Sequence, residues 1–95
     1  MYPIGYYISM KRPTQTMKRM ARRLIEKRLQ HNMTQEQVAG AVDPPVRRVT
    51  VSNWERSKKI PSVRRLRQLA ELFNTSMDYL AGLSPDDPQN ERETL

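Results

Sequence analysis

The chain has 95 residues, of which 37% are hydrophobic and 6% aromatic, and its formal net charge is +7 at pH 7. That length suits one small domain with a small core. The absence of cysteine excludes a disulfide framework and a thiolate metal site, and a lone histidine, His31, disfavours a histidine metal site. We therefore expect no metal or cofactor. No stretch approaches the roughly 20 apolar residues of a membrane span, so we expect a cytoplasmic protein.

The charge is concentrated before residue 83. Sixteen of the 17 basic residues but only six of the ten acidic residues lie in 1–82. A basic field of this size favours a nucleic acid as partner, with an anionic membrane surface as the alternative. Residues 84–95 are acidic and interrupted by prolines, which predicts a disordered tail or linker. Residues 1–13 show no helical period and are predicted to form a flexible arm, in which Lys11 and Arg12 could also reach DNA.

A first helix is predicted after residue 13. Apolar residues at spacings of three and four form one stripe, namely Met17, Met20, Ala21, Leu24 and Ile25. The opposite face consists of Lys18, Arg19, Arg22, Arg23, Lys27 and Arg28. For Arg19, Arg22 and Arg23, a solvated face without a functional role is an alternative. Thr14 or Thr16 would cap the start, and Asn32 suits a left-handed stop. We expect His31 only to favour the helix end. Binding of this basic amphipathic helix to a membrane is an alternative.

Two short helices follow. Thr34 is predicted to cap a helix over 35–42 that buries Val38, Ala39 and Val42, and two prolines interrupt it. The next helix is predicted over 47–55, with Val51 and Trp54 facing the core. An alternative starts that helix earlier, with Asp43 as its N-cap and Pro44 as its first residue.

Two more helices follow a basic connection at 56–60. Ser62 would cap a fourth helix that Asn74 ends, with a buried stripe of Val63, Leu66, Leu69, Ala70 and Phe73. Ser76 would cap a short fifth helix over 77–81, which ends at Gly82. Met20, Met33 and Met77 are expected to fill the core. The sequence therefore predicts an all-α domain of five helices over 14–83.

The stretch 33–60, MTQEQVAGAVDPPVRRVTVSNWERSKKI, resembles the phage Cro and repressor family of helix-turn-helix domains, of which the lambda repressor is the type. Segments 34–39, 51–56 and 73–80 carry the resemblance, which covers 17–83. It implies a lambda repressor-like domain with the helix-turn-helix formed by helices 2 and 3. It also implies a sequence-specific transcriptional regulator, a phage or prophage-type repressor that binds a two-fold operator in double-stranded DNA as a homodimer.

The third helix is the one that would enter the major groove, where each base pair presents a distinct set of donors, acceptors and methyl groups. The resemblance implies base contacts by Arg48, Val49, Thr50 and Asn53. Arg48 can pair with guanine through two bonds, and Val49 suits a thymine methyl. Asn53 can pair with adenine, and Thr50 can reach a base edge or a phosphate.

Contacts to the DNA backbone are expected from Gln35, Arg47, Lys58, Lys59 and Arg28. Gln35 begins the second helix, whose unsatisfied N–H groups would attract a phosphate. Lys58 and Lys59 lie in the loop that, by resemblance, follows the DNA backbone. The resemblance further implies an ion pair between Arg28 and Glu55, which would hold Arg28 near a phosphate.

Other classes of function remain as alternatives. One is an antitoxin-like protein that uses the same domain to bind a protein partner, and another is a nonspecific nucleic-acid binder. An enzyme with a small-molecule substrate is not expected, because no acid–base pair, nucleophile triad or phosphate loop can be assembled. The segment Asp43-Pro44-Pro45 replaces the family's usual glycine turn, so the angle at which helix 3 enters the groove is left open.

Overall fold

The computed structural model describes residues 12–85, and this part of the chain forms five α-helices and no strand. They are α1 (Gln15–Gln30), α2 (Gln35–Ala41), α3 (Arg48–Glu55), α4 (Val63–Leu72) and α5 (Met77–Leu80). The predicted all-α fold with five helices is confirmed. No helix within 12–85 is long and apolar enough to cross a membrane. The predicted arm and acidic tail lie almost entirely outside the described residues.

Hydroxyl side chains start four of the five helices. Each accepts a hydrogen bond from the backbone N–H three residues later, and they are Thr14, Thr34, Ser62 and Ser76. The predicted left-handed stop at Asn32 is confirmed by its φ angle of 55°, and Asn74, which was predicted to end the fourth helix, has a φ angle of 52°. Caps of this kind satisfy N–H and C=O groups that a helix end leaves unpaired. They fix where each short helix begins and ends.

The core lies between all five helices. Its buried side chains are Met20, Leu24, Val38, Ala39, Val42, Val51, Trp54, Leu66, Leu69, Ala70, Phe73, Tyr79 and Leu80. Trp54 is 6% exposed and faces this core, as predicted. Met33 and Met77 pack against its edge while Met20 lies inside it, so the three methionines fill the core. The core side of α2 and α3 therefore agrees with the sequence pattern.

The prediction that Val63 is buried is wrong, since its side chain is 76% exposed. Val63 is the first residue of α4 and shares a helical stripe with Leu66, which explains the prediction. The chain enters the helix from the buried Pro61, and the core reaches α4 only from Leu66 onward. The apolar stripe of α4 therefore extends one turn further towards the N-terminus than the part of the helix that packs on the core.

The prediction that Lys27 lies on the face of α1 opposite the apolar stripe is also wrong, because Lys27 is 0% exposed. Its Nζ atom lies 5.6 Å from the centre of the Tyr79 ring. The long aliphatic part of a lysine packs readily against apolar neighbours, which an apolar-stripe analysis does not register. Of the predicted basic face, Lys18 and Arg22 are exposed.

Arg19 and Arg23 of α1 bind the end of α5. Arg19 Nη1 donates to the Gly82 carbonyl oxygen at 2.8 Å. Arg23 Nη1 donates to the carbonyl oxygens of Tyr79 and Ser84, at 2.7 and 2.6 Å. These contacts hold α5 and the following residues against α1.

His31 does more than favour the end of α1. Its Nε2 atom lies 3.1 Å from the Phe73 carbonyl oxygen, and an N–H at that position donates to it. The two rings also pack, with centroids 5.5 Å apart. His31 therefore joins the C-terminal end of α1 to that of α4.

The alternative start of α3 is wrong. The helix begins at Arg48, and Arg47 is its N-cap residue, so Asp43 and Pro44 lie outside it in the turn. Arg47 makes no side-chain hydrogen bond at the helix start. The turn therefore spans residues 42–47, and Val42 at its beginning is buried in the core.

Candidate nucleic-acid interface

The helix α3 has one buried side and one exposed side. Val51, Trp54 and Glu55 are buried. The remaining positions are exposed or half-buried and form what we call the outer face, namely Arg48, Val49, Thr50, Ser52, Asn53 and Arg56. This face presents hydroxyl, amide, guanidinium and methyl groups, which are the groups that can bind base edges.

The four predicted base-contact residues all lie on the outer face. Arg48 is exposed and Val49 is 49% exposed, while Thr50 and Asn53 are half-buried. The four side chains therefore lie on the part of α3 that the core does not cover.

Ser52 and Arg56 were missed by the sequence analysis. Ser52 lies one turn after Arg48 and is half-buried, while Arg56, the C-cap residue of α3, is exposed. The signal was their spacing from Arg48, four residues for Ser52 and eight for Arg56, which places both on its stripe.

A hydrogen-bond network connects the outer face to the start of α2. Gln35 Nε2 donates to Glu55 Oε1 at 2.9 Å, and Arg48 Nη1 donates to Gln35 Oε1 at 3.4 Å. The amide of Gln35 is thus bound on both sides. This arrangement restrains the guanidinium of Arg48 at the N-terminal end of α3.

Glu55 also pairs with Arg28 of α1. Arg28 Nε donates to Glu55 Oε2 at 2.7 Å and Nη2 donates to Oε1 at 3.1 Å. Arg28 Nη1 donates to the Met33 carbonyl oxygen at 3.0 Å. The two side chains are 15% and 5% exposed, so most of the hydrogen-bonding capacity of Arg28 is directed inward.

The start of α2 offers fewer free N–H groups than predicted. Thr34 and Gln37 form a reciprocal capping box, in which each side chain accepts the backbone N–H of the other residue, at 3.0 and 2.9 Å. The N–H groups of Gln35 and Glu36 remain at the open end of the helix. The predicted anion site there is therefore smaller than an uncapped helix would give.

A basic loop leaves the other end of α3. Ser57 has a φ angle of 60°, and the backbone N–H groups of Lys58 and Lys59 donate to the Asn53 carbonyl oxygen at 2.9 and 3.2 Å. These bonds fix the path of the loop directly after the helix. Both lysine side chains are exposed, as is Arg47 at the opposite end of α3.

The site thus consists of an exposed helix face with cationic side chains at both ends. Its width is that of one α-helix, which fits the major groove of B-DNA. Within the part of the chain that the structure describes, no group of three His, Asp or Glu residues is placed to hold a metal ion.

Comparison with known proteins agrees with this geometry. A family of helix-turn-helix domains matches residues 24–80, which include all of α2, α3 and α4. The chain therefore belongs to the helix-turn-helix family, as a lambda repressor-like domain of the kind found in DNA-binding regulators.

A relative from Bacillus subtilis (strain 168) bears the name Uncharacterized HTH-type transcriptional regulator YobD. It is 35% identical over 74 residues, which cover 77% of this chain and 64% of the relative. The chain thus spans less than two thirds of the length of that relative. No solved structure gave a significant match.

Proposed function

We propose that the protein is a sequence-specific DNA-binding transcriptional regulator, a repressor of phage or prophage type. Residues 14–83 form its DNA-binding domain. It binds a two-fold operator as a homodimer, with two α3 helices in successive major grooves about 34 Å apart. Occupation of the operator blocks access to the promoter.

One observation carries this proposal, namely the outer face of α3. Three residues of the helix are buried, so that the opposite face is held in one orientation. That face carries Arg48, Val49 and Asn53, side chains suited to guanine, to a thymine methyl and to adenine. A protein that bound DNA only through positive charge would not require side chains of such different chemistry on one helix face.

The predicted backbone-contact residues are assigned two roles, namely contact with DNA phosphates and support of α3. Arg47, Lys58 and Lys59 are exposed at the two ends of α3, where phosphates flank a helix in the groove. Gln35 contacts a phosphate near the start of α2. Arg28, because its guanidinium is bound to Glu55 and to the Met33 carbonyl, chiefly holds α3 in place and touches phosphate only with its remaining N–H groups.

Selection of bound duplexes from a random DNA pool, near physiological salt, tests the proposal. The expected result is a motif with two inverted half-sites whose centres lie about ten base pairs apart, since one helical turn separates the reading helices. The mass of the complex on one selected duplex should correspond to two chains. An otherwise identical duplex with one half-site scrambled is the control.

Other outcomes would contradict the proposal in distinguishable ways. Binding without a motif would indicate a nonspecific nucleic-acid binder, whose affinity falls steeply with salt for every sequence alike. A motif with a single half-site and one bound chain would contradict the dimer alone. Absence of binding would favour the docking of a protein partner.

A further inference from the structure

The turn between α2 and α3 has little hydrogen bonding of its own. Pro44 and Pro45 have no backbone N–H, so Asp43 carries the only such donor in residues 43–45. At the end of the turn the Val46 N–H donates to the Ala39 carbonyl oxygen of α2 at 3.0 Å. The middle of the turn must therefore be held from outside.

Side chains of α4 supply that support. Gln68 binds both backbone groups of Asp43, since its Oε1 accepts the Asp43 N–H at 3.3 Å and its Nε2 donates to the Asp43 carbonyl oxygen at 2.7 Å. Arg64 Nη2 donates to the same carbonyl oxygen at 3.1 Å. Arg65 Nη1 donates to the Pro44 carbonyl oxygen at 2.6 Å.

The members of this group also bind one another. Arg65 Nη1 lies 3.3 Å from Gln68 Oε1 and donates to it. We call Arg64, Arg65 and Gln68 the α4 clamp. It reaches only the backbone of the turn, so its contacts depend on the path of the chain and not on the side chains found there.

The path of the turn determines where α3 starts. The N-cap residue of α3, Arg47, makes no side-chain hydrogen bond at the helix start, so the first turn of α3 has no cap of its own to fix it. Val46 is half-buried against the core and directly precedes this residue. A shift of residues 43–45 would therefore be passed on to the N-terminal end of α3.

We propose that Gln68 and Arg65 are positioning residues for DNA recognition. By holding the backbone of residues 43–45 against α4, they set the angle at which the outer face of α3 meets the major groove, and so determine which bases Arg48 and Val49 reach. This inference rests on the proposed function. Gln68 and Arg65 act through the turn and do not touch the DNA.

The variants Gln68→Ala and Arg65→Ala test the inference, with Arg67→Ala as the matched control. Arg67 lies on the same helix and is exposed; it borders the same cleft as Asp43 and Gln68, but makes no hydrogen bond to the described residues of the turn. Its replacement removes the same charge as Arg65→Ala. Each variant is subjected to the random-pool selection, and its affinities for the best wild-type duplex and for random DNA are measured.

Gln68→Ala and Arg65→Ala should lower the ratio of best-site to random-DNA affinity by at least about five-fold, because displacement of one base-reading side chain costs that much. The recovered motif should change at the bases that the start of α3 reads. Arg67→Ala should keep the motif and the ratio. A purely structural role would lower the amount of folded protein without changing the base preference.

A second measurement on the free chain separates this inference from the proposed function. Amide hydrogen exchange at Asp43 and Val46 should become faster in Gln68→Ala and remain unchanged in Arg67→Ala. Unchanged exchange in Gln68→Ala, or a wild-type motif and ratio in both clamp variants, would overturn the inference. If the wild type returned no motif, the proposed function and the link to base preference would fail together, while exchange would still decide whether α4 holds the turn.

Discussion

Arg28 and Glu55 form a bidentate ion pair that joins α1 to the end of α3, with Nε to Oε2 at 2.7 Å and Nη2 to Oε1 at 3.1 Å. The same carboxylate accepts a hydrogen bond from Gln35 at the start of α2. One nearly buried charge, 5% exposed, therefore fixes three helices relative to one another. Since Glu55 is the last residue of α3, this pair holds the C-terminal end of the helix that carries the outer face.

Replacement of Glu55 by glutamine should destabilise the fold. The change removes the negative charge and one of the two acceptor oxygens that face the largely buried guanidinium of Arg28, which costs roughly 3 kcal/mol of unfolding free energy. Glu71→Gln is the matched control, since it removes a carboxylate from an exposed position of α4. That control should stay within about 0.5 kcal/mol of the wild type. Urea unfolding measures both, and equal small effects would show that the pair contributes little.

Replacement of Arg23 by alanine should weaken the attachment of α5 to α1. Its Nη1 atom binds the carbonyl oxygens of Tyr79 and Ser84, and its guanidinium lies 4.0 Å from the centre of the Tyr79 ring. Arg23→Ala should cost roughly 2 kcal/mol, because bonds from a charged donor are lost. Amide exchange in α5 should become faster, whereas Arg22→Ala, an exposed neighbour of equal charge, should leave it unchanged. Equal exchange in the two variants would contradict the assignment.

Substitutions of Trp54 and Val49 test which side of α3 faces the core and which is the outer face. Trp54 is 6% exposed and Val49 is 49% exposed. Trp54→Ala should lower the free energy of unfolding by roughly 3–5 kcal/mol, which abolishes the fold of many small domains. Val49→Ala should change it by less than about 0.5 kcal/mol while weakening the preference for thymine at one position. The opposite order of the two stabilities, measured by chemical denaturation, would reverse the faces of α3.

The helix boundaries were predictable because their causes are local. Thr34 caps α2 through an N–H only three residues away, and Asn32 and Asn74 end helices by their own backbone conformation. The buried side of α3 was equally readable, since Val51 and Trp54 recur at helical spacing. The outer face followed from what that stripe leaves exposed, although Ser52 was overlooked on it.

The errors arose where a distant segment determines the environment. Lys27 follows Met20 by seven residues and Leu24 by three, so it lies on the buried stripe of α1, but its charge led to the opposite assignment. Its neighbour Tyr79 belongs to α5, more than fifty residues later in the chain. The exposure of Val63 depends on where the core surface ends. The two hydrogen bonds between Gln68 and Asp43 join residues 25 positions apart, so the sequence pattern showed an irregular turn but not the side chain that supports it.

Lys58 should bind phosphate without reading sequence. Its side chain is exposed in the loop after α3. Lys58→Ala should weaken binding by a similar factor for all duplexes and reduce the slope of log K against log salt by about 1. Lys18→Ala, which removes an exposed lysine near the start of α1, should change neither quantity. A loss confined to one sequence would show instead that Lys58 contacts a base.

The central claim is that the outer face of α3 reads bases, and Arg48→Ala tests it most directly. Titrations of the wild type and this variant against the best selected duplex and a scrambled duplex give the four affinities that are needed. We predict a loss of about 1–3 kcal/mol on the best duplex, a much smaller loss on the scrambled one, and relaxed preference at one base pair in each half-site. An equal loss on both duplexes would contradict the claim and make Arg48 a phosphate contact.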